Sequence, residues 1–347
     1  MIAMAGMVTT FPIPTRRAAL LAAAALAGCA PRAAPPGPPV QAPGEVADAF
    51  VMADGMRLPC RSWRPVGEPW AVVLALHGFN DSRDAWEIPA PDFAAAGVAL
   101  YAPDQRGFGA TAARGLWPGA DALADDAAAM AGLLRRRHPG ARLVLMGESM
   151  GGAVLMRLAT RGGSVPGDGM VLLAPAVWGR AAMNIFMQGG LWLVATFAPG
   201  LTVSRPPPGV RIVASDNVEA LRALGRNPLT IKATRFDTLR GLVDMMDLAL
   251  AAARQWGALP ALFLYGAKDM VIPPAATRAT WLALAGKRVR RSFYPNGYHL
   301  LLRDLGRAAV IGDILAWLRD PSGALPSGGE AAAAAWLAAT PPVSAAR

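Results

Sequence analysis

Short apolar runs recur along the chain, separated by segments whose apolar residues follow a helical spacing. Runs of this length are typical of buried strands. They predict strands near residues 71–76, 97–101, 142–146, 169–174 and 261–265, and the partly apolar segment 290–294 is expected to form a sixth. The helical segments between most of them, such as residues 121–137, predict crossover connections and therefore a parallel sheet.

Two further strands are predicted ahead of this series. Residues 50–52 and 56–63 are joined by Asp54-Gly55, a typical hairpin turn. The chain is therefore expected to have an α/β fold with an eight-stranded, mostly parallel sheet flanked by helices and entered through an antiparallel hairpin.

The alternation of strands and helices stops between Trp178 and Trp256, which predicts an inserted helical cap at about residues 178–256. Residues 181–204 carry no charge, so a membrane span is the main alternative. Polar residues and Gly-Gly and Pro-Gly pairs inside this stretch favour a lid, and its apolar inner face suits an acyl chain. The alternative without a lid function is a helical layer packed on the sheet.

The first 28 residues have the pattern of a bacterial lipoprotein signal peptide. Arg16-Arg17 precede the short apolar stretch 18–27, and Leu26-Ala27-Gly28-Cys29 matches a lipobox. Lipid attachment at Cys29, including palmitate-type acyl chains, would tether the protein to a membrane. An ordinary secretory signal is the alternative, and the export route stays open between the general and twin-arginine pathways.

This signal predicts a location on the periplasmic side of a bacterial cell envelope. Ala30 stands where Asp is associated with inner-membrane retention, which slightly favours the outer membrane. Residues 29–47 are expected to be a Pro-rich tether reaching at most ~45 Å. Residues 48–320 would form the folded domain, and 321–347 a low-complexity tail. Cys60 is expected to be a buried small apolar residue, with a Cys29–Cys60 disulfide as the alternative.

Composition narrows the function classes. Hydrophobic residues make up 54% of the chain, which excludes a largely disordered protein. The net charge of +10 comes from 31 Arg against 3 Lys and forms no basic stripe interleaved with aromatic residues. No nucleic-acid partner is therefore expected.

The stretch Gly147-Glu148-Ser149-Met150-Gly151 lies between a predicted strand and a predicted helix. Strand, G-x-S-x-G and helix together are the layout of a nucleophile elbow, which holds the serine hydroxyl out toward a substrate. Gly147 and Gly151 are needed where strand and helix approach closely. Ser149 is therefore the candidate nucleophile, against the alternative of an ordinary helix N-cap.

A serine hydroxyl needs a neighbouring base, and the chain has three histidines. His138 lies at the polar end of a helix, and His77 precedes Gly78 in the loop after an early strand. His299 lies in a loop beyond the serine, as the order Ser, acid, His requires. Asp269 follows the strand between them and is the candidate acid.

Acyl transfer builds negative charge on a carbonyl oxygen, which preorganised N–H donors stabilise. One expected donor is the backbone amide of Met150, at the start of the helix. The other is the amide of Phe79, in the loop after the strand that ends at residue 76. His77 is then expected to position this loop.

Four motifs together resemble the α/β-hydrolase superfamily, and most closely its monoacylglycerol lipase and lysophospholipase branch, which is grouped with the serine aminopeptidase-like hydrolases. The motifs are His77-Gly78-Phe79, Asp104-Gln105-Arg106-Gly107-Phe108-Gly109, Gly147-Glu148-Ser149-Met150-Gly151-Gly152 and Gly297-Tyr298-His299. The resemblance covers residues 48 to 320. Gln105 departs from the residues usual at its position.

The resemblance implies a serine hydrolase that cleaves lipid esters of the monoacylglycerol or lysophospholipid class through an acyl-enzyme, without cofactor or metal. Three alternatives stay open: a short-chain carboxylesterase, a serine peptidase of the same fold, and a non-catalytic envelope lipoprotein. The sequence leaves chain length, headgroup and oligomeric state open.

Overall fold

The computed structural model describes residues 31–204 and 212–339. The signal peptide and Cys29 lie outside the described residues. Eleven strands are formed in the described part, and their bounds are β1 Gly44–Val46, β2 Ala49–Val51, β3 Arg57–Trp63, β4 Ala71–Leu76, β5 Val98–Pro103, β6 Arg142–Glu148, β7 Gly169–Leu173, β8 Thr202–Val203, β9 Thr234–Arg235, β10 Ala261–Gly266 and β11 Val289–Tyr294.

The helices alternate with these strands over most of the chain. Their bounds are α1 Ala90–Ala95, α2 Ala120–Arg137, α3 Met150–Thr160, α4 Ile185–Phe197, α5 Val218–Arg226, α6 Phe236–Gln255, α7 Pro274–Ala283, α8 Arg307–Arg319 and α9 Gly329–Ala339. None of the helices in the described ranges is long and apolar enough to cross a membrane.

The main sheet has the order β1-β2-β3-β5-β4-β6-β7-β10-β11. Its pairs are parallel from β5 to β11, and the first three strands join antiparallel. The carboxyl ends of β6, β10 and β11 therefore meet at one edge of the sheet, where open α/β sheets place their ligands.

Two apolar layers cover the sheet, which explains why its central strands are apolar throughout. Val72 and Leu74 of β4 pack on one face with α2, α3 and α6. Ala71 and Val73 point the other way and pack with α1 and α8. All six residues of β4 are buried, and the predicted alternation of buried strands and covering helices is confirmed.

The sheet has nine strands, one more than predicted. The additional strand is β1, which lies inside the segment expected to be a tether and pairs antiparallel with β2. Prolines upstream of residue 44 suggested a segment that joins no sheet. Residues 44–46 contain no proline, so each has a backbone N–H group and they can pair at the edge of the sheet.

Residues 32–40, here called the strap, lie along the folded domain, whereas a free tether was expected. The Arg32 amide donates to Asp237 Oδ2 at 3.0 Å, and the Ala34 amide donates to the carbonyl of Trp117 at 3.0 Å. Further along, the Val40 amide donates to the Ala53 carbonyl at 2.7 Å. A Pro-rich segment has few backbone N–H groups, and these contacts use the N–H groups of its non-proline residues.

Between β7 and β10 the chain forms α4, β8, α5, β9 and α6. The last of these helices belongs to the sheet's covering layer, because Val243, Met246 and Ala249 lie in the same buried cluster as Val154. The expected cap region of 178–256 therefore contains one helix that packs on the body of the domain. The part before residue 236 forms the rest of the cap, and its Met183, Leu191 and Ile231 pack against the same cluster.

The segment expected to be a peripheral tail contributes α9 to the fold. Trp336 stacks on Phe293 of β11, with ring centroids 4.9 Å apart, and meets Trp281 edge-on at 5.3 Å. The Ala-rich composition suggested low complexity, but Ala333 and Trp336 lie on one helical face that packs against the sheet.

Candidate active site

Ser149 lies at the sharp turn between β6 and α3. Its φ of 52° and ψ of −113° are unusual for a side-chain-bearing residue and are typical of strain held at a functional turn. A Cβ on Gly151 would lie 2.2 Å from the Leu76 carbonyl oxygen, and one on Gly147 would lie 2.4 Å from the backbone of Gly151. Both glycines are therefore required by close approach, as the sequence pattern predicts.

Asp269 and His299 meet in the loops that follow β10 and β11. His299 Nδ1 donates to Asp269 Oδ2 at 2.8 Å, and both residues are at most 5% exposed. The other carboxylate oxygen of Asp269 accepts from the amides of Val271 and Ile272 at 2.7 and 2.9 Å. The acid is thus fixed by its own loop, and it fixes the orientation of the imidazole.

The surroundings raise the pKa of His299 above its ordinary value of 6.5. Burial is the largest influence and lowers the pKa, because the imidazolium loses hydration. The charge and hydrogen bond of Asp269, together with the charge of Glu148, outweigh burial, although Arg303 opposes them. A buried imidazole whose proton affinity is maintained by an oriented carboxylate suits a general base.

The structure brings Ser149 and His299 to the wall of the same cavity. Within the described residues no hydrogen bond joins the serine hydroxyl to the imidazole, and the ordered pair is His299 with Asp269. Such contacts often tighten only when substrate binds. The catalytic roles of the three residues stay predictions.

The two predicted oxyanion donors lie on either side of the nucleophile. Met150 is the first residue of α3, so its amide has no acceptor inside the helix. Phe79 follows Gly78, and a Cβ added to Gly78 would lie 3.4 Å from Ser149 Cβ. In the described part of the chain the Phe79 amide makes no hydrogen bond, so both amides are available to a substrate oxygen.

His77 holds the loop that carries Phe79. Its Nε2 accepts from the Gln105 amide at 3.0 Å, so the ring proton is on Nδ1, which donates to the Gly78 carbonyl at 2.8 Å. The Gln105 side chain also donates to the His77 carbonyl at 2.7 Å. Gln105, the departure from the family motif, therefore supports this loop.

A buried ion cluster beneath the site was missed from the sequence. Arg303 Nη2 donates to Asp81 Oδ2 at 2.7 Å and to Glu148 Oε1 at 2.5 Å, and all three residues are at most 6% exposed. Asp81 and Arg303 lie in loops of the site, and Glu148 is the last residue of β6. Charged residues are usually solvated, so their presence in the sequence does not indicate a buried cluster. The only signal for this cluster was that its members lie close in sequence to Phe79, Ser149 and His299.

The cavity beside Ser149 has a volume of about 890 Å³ and a mostly apolar lining. Helix α4 contributes Met187 and Leu191, and α6 contributes Leu242, Val243 and Met246. Its charged lining residues besides His299 are Asp81 and Glu148, both paired with Arg303. In residues 31–204 and 212–339 no group of three or more His, Cys, Asp or Glu side chains is placed to hold a metal ion.

Comparisons with known proteins identify the family of the chain. The family model described as serine aminopeptidase, S33 matches residues 67–306. The chain is 27% identical over 281 residues to a monoacylglycerol lipase of Mycolicibacterium smegmatis, an alignment that covers 78% of this chain and 95% of that protein.

Two solved structures share the fold. A soluble variant of monoglyceride lipase from Saccharomyces cerevisiae, in complex with a substrate analog, matches with a TM-score of 0.64 and 18% identity over 85% of this chain and 99% of that one. A carboxyl esterase from Bacillus coagulans matches with a TM-score of 0.64 and 20% identity, covering 81% and 99%. The predicted α/β-hydrolase fold is confirmed.

Proposed function

The chain belongs to the serine aminopeptidase S33 family of α/β-hydrolases, and from this premise we propose that it hydrolyses carboxylic esters of lipids of the monoacylglycerol or lysophospholipid class. The observation that carries the proposal is the buried Asp269–His299 pair at the wall of an apolar cavity that also contains the strained Ser149. A nucleophile, a base and an oriented acid at one cavity suit acyl transfer.

The proposed reaction uses the side chains in turn. Ser149 Oγ attacks the ester carbonyl while His299 Nε2 takes its proton, and Asp269 stabilises the imidazolium through Nδ1–H. The amides of Phe79 and Met150 hold the oxyanion. The tetrahedral intermediate then collapses, His299 returns the proton to the leaving alcohol, and the acyl group stays on Ser149. Water activated by His299 releases the fatty acid and restores the hydroxyl.

The cavity favours a lipid ester over the alternatives. An apolar volume of about 890 Å³ is larger than a short acyl group needs and is in the range that encloses a drug-sized ligand. An aminopeptidase would need a free carboxylate for the substrate's ammonium group. The lining carboxylates Asp81 and Glu148 are instead both paired with Arg303.

The proposed location is the bacterial cell envelope, with Cys29 lipidated on the periplasmic side and the outer membrane slightly favoured. Substrate and enzyme would then share one surface. The lipobox and the absence of charge in residues 181–204 support this location.

The test is labelling of the full chain by a fluorophosphonate probe, followed by turnover of monoacylglycerols and p-nitrophenyl esters of increasing chain length and of an aminoacyl amide. Labelling should vanish in Ser149→Ala and persist in Ser164→Ala, an exposed serine in a loop. Longer acyl chains should give the higher kcat/KM. Folded protein that takes no label would favour the non-catalytic alternative, and faster turnover of acetate esters or of the amide would favour the other two.

A further inference from the structure

The outer face of α4 and the residues after it form an exposed apolar surface, here called the apolar patch. Its members and exposed fractions are Ile185 76%, Phe186 86%, Trp192 57%, Leu193 54%, Phe197 65% and Leu201 58%. Surfaces of this kind are rare on proteins that meet only water. Residues 181–204 contain no charged side chain, so no ionic group on this stretch opposes contact with lipid.

The strap begins beside one end of this patch. The Arg32 amide is bonded to Asp237 Oδ2 at 3.0 Å. The Asp237 amide in turn donates to the Pro199 carbonyl at 3.2 Å, and the Phe236 amide donates to the Leu201 carbonyl at 3.0 Å. The start of the strap therefore lies next to the segment that ends the patch.

The short chain between Cys29 and Arg32 limits where an anchor can be. Three residues span at most ~10 Å when extended, and α4 itself is ~20 Å long. A lipid on Cys29 would therefore enter the bilayer close to the patch and far from the amino-terminal ends of the parallel strands.

Resting on the proposed lipid-ester function, we propose that the strap orients the protein on its membrane so that the apolar patch docks on the bilayer beside the lipidated Cys29. The partner is the lipid surface itself. The inner face of α4 lines the active-site cavity through Met187 and Leu191, so one helix would separate the bilayer from the site. A lipid ester could then enter the cavity without crossing water.

The test measures how the protein is oriented on the membrane and does not depend on catalysis. The full lipidated chain, with Cys60→Ser, carries an environment-sensitive fluorophore at Phe186→Cys or, as the matched control, at Val66→Cys. Val66 is an apolar residue at least as exposed as Phe186, and it lies in the loop between β3 and β4, at the amino-terminal ends of the parallel strands. In phosphatidylethanolamine–phosphatidylglycerol vesicles that contain spin-labelled lipid, position 186 should be quenched at least about threefold more than position 66, because patch residues enter the upper ~5–10 Å of the bilayer.

The role of the strap is tested by inserting ten Gly and Ser residues after Cys29. The insertion should reduce the difference between the two positions, because the anchor no longer limits the orientation. Equal quenching at both positions in the unmodified chain, unchanged quenching after the insertion, or mass spectrometry showing no lipid on Cys29 would each overturn the inference. Loss of fluorophosphonate labelling with the quenching pattern intact would overturn the proposed chemistry alone.

Discussion

His299 and Asp269 are joined by a 2.8 Å hydrogen bond between Nδ1 and Oδ2, and the carboxylate is itself held by two backbone amides of its own loop. The bond leaves Nε2 as the nitrogen available to the cavity. Because both residues are buried, water competes little for the bond, and the imidazole keeps one orientation. Among the described residues this pair supplies the hydrogen bond that orients the proposed base.

Replacing the acid should remove that order without emptying the site. We expect Asp269→Asn to lower kcat for a p-nitrophenyl butyrate substrate by roughly 10³- to 10⁴-fold, because the amide favours the wrong tautomer and cannot stabilise the imidazolium. KM should change little, since Asp269 does not reach the substrate. Asp168→Asn, a surface carboxylate, serves as the control. Near-normal kcat in folded Asp269→Asn would exclude the proposed role.

The activity should depend on pH because His299 must be neutral to act as the base, and its raised pKa shifts the acidic limb of the profile upward. The base must be neutral, so kcat/KM should fall as pH falls through a value above 6.5. Asp269→Asn removes the largest influence that raises the pKa, so the acidic limb of its residual activity should move to lower pH. A profile between about pH 5 and 9 measures both. An acidic limb below the ordinary imidazole pKa would contradict the assignment.

The same pKa has an opposite consequence for stability. A histidine whose pKa is raised by folding binds its proton more tightly in the folded state. Its contribution to the free energy of unfolding is fully present below the unfolded pKa and is lost as pH rises through the folded pKa. Activity and this part of stability therefore change in opposite directions across the same pH window.

The central sheet and the candidate triad were predictable because their signals are local. Five of the six parallel strands are apolar runs, and Ser149, Asp269 and His299 each follow a predicted strand. Parallel strands bring their carboxyl ends together, so order along the chain was enough to predict proximity.

The docking of the strap, the packing of α9 and the Arg303 cluster were not predictable for a shared reason. Each depends on a contact between distant segments that composition conceals. Trp336 meets Phe293 from 43 positions further along the chain (336 − 293), and Arg303 meets Asp81 from 222 positions away. Pro-rich and Ala-rich segments have few local signals, and a single arginine does not indicate which carboxylates it will meet.

Helix α9 should stabilise the loop that carries the acid. Trp336 packs on Tyr265 at 5.9 Å between ring centroids, and the Tyr265 hydroxyl donates to the Ile272 carbonyl at 2.7 Å in the Asp269 loop. We expect Trp336→Ala to lower the free energy of unfolding by about 2–3 kcal/mol, less than for a fully buried Trp because this ring is half-buried. Thermal or urea unfolding measures it.

The matched control is Trp192→Ala, which removes an equally large ring that is 57% exposed. That variant should unfold within about 0.5 kcal/mol of the unmodified chain. Equal losses in the two variants would contradict a supporting role for α9.

Arg303 joins two loops and the end of β6, each of which lies next to a proposed catalytic group, and its removal should therefore affect turnover as well as stability. Asp81 follows Phe79 in the oxyanion loop, Glu148 precedes Ser149, and Arg303 itself follows His299. We expect Arg303→Met to lower kcat about 10- to 100-fold with little change in KM, because small displacements of reacting groups are costly.

A buried arginine of the same kind provides the control for this variant. Arg106 is 2% exposed and bonds to Asp54 and Asp126 away from the nucleophile. Both Arg→Met variants should lose about 3–5 kcal/mol of stability, since each leaves buried carboxylates unpaired, but only Arg303→Met should lose turnover per folded molecule. If neither folds, Glu148→Gln keeps the shape and removes a charge that raises the His299 pKa, so its acidic limb should move to lower pH. Unchanged turnover in folded Arg303→Met, or an unmoved limb in Glu148→Gln, would show that the cluster acts on stability alone.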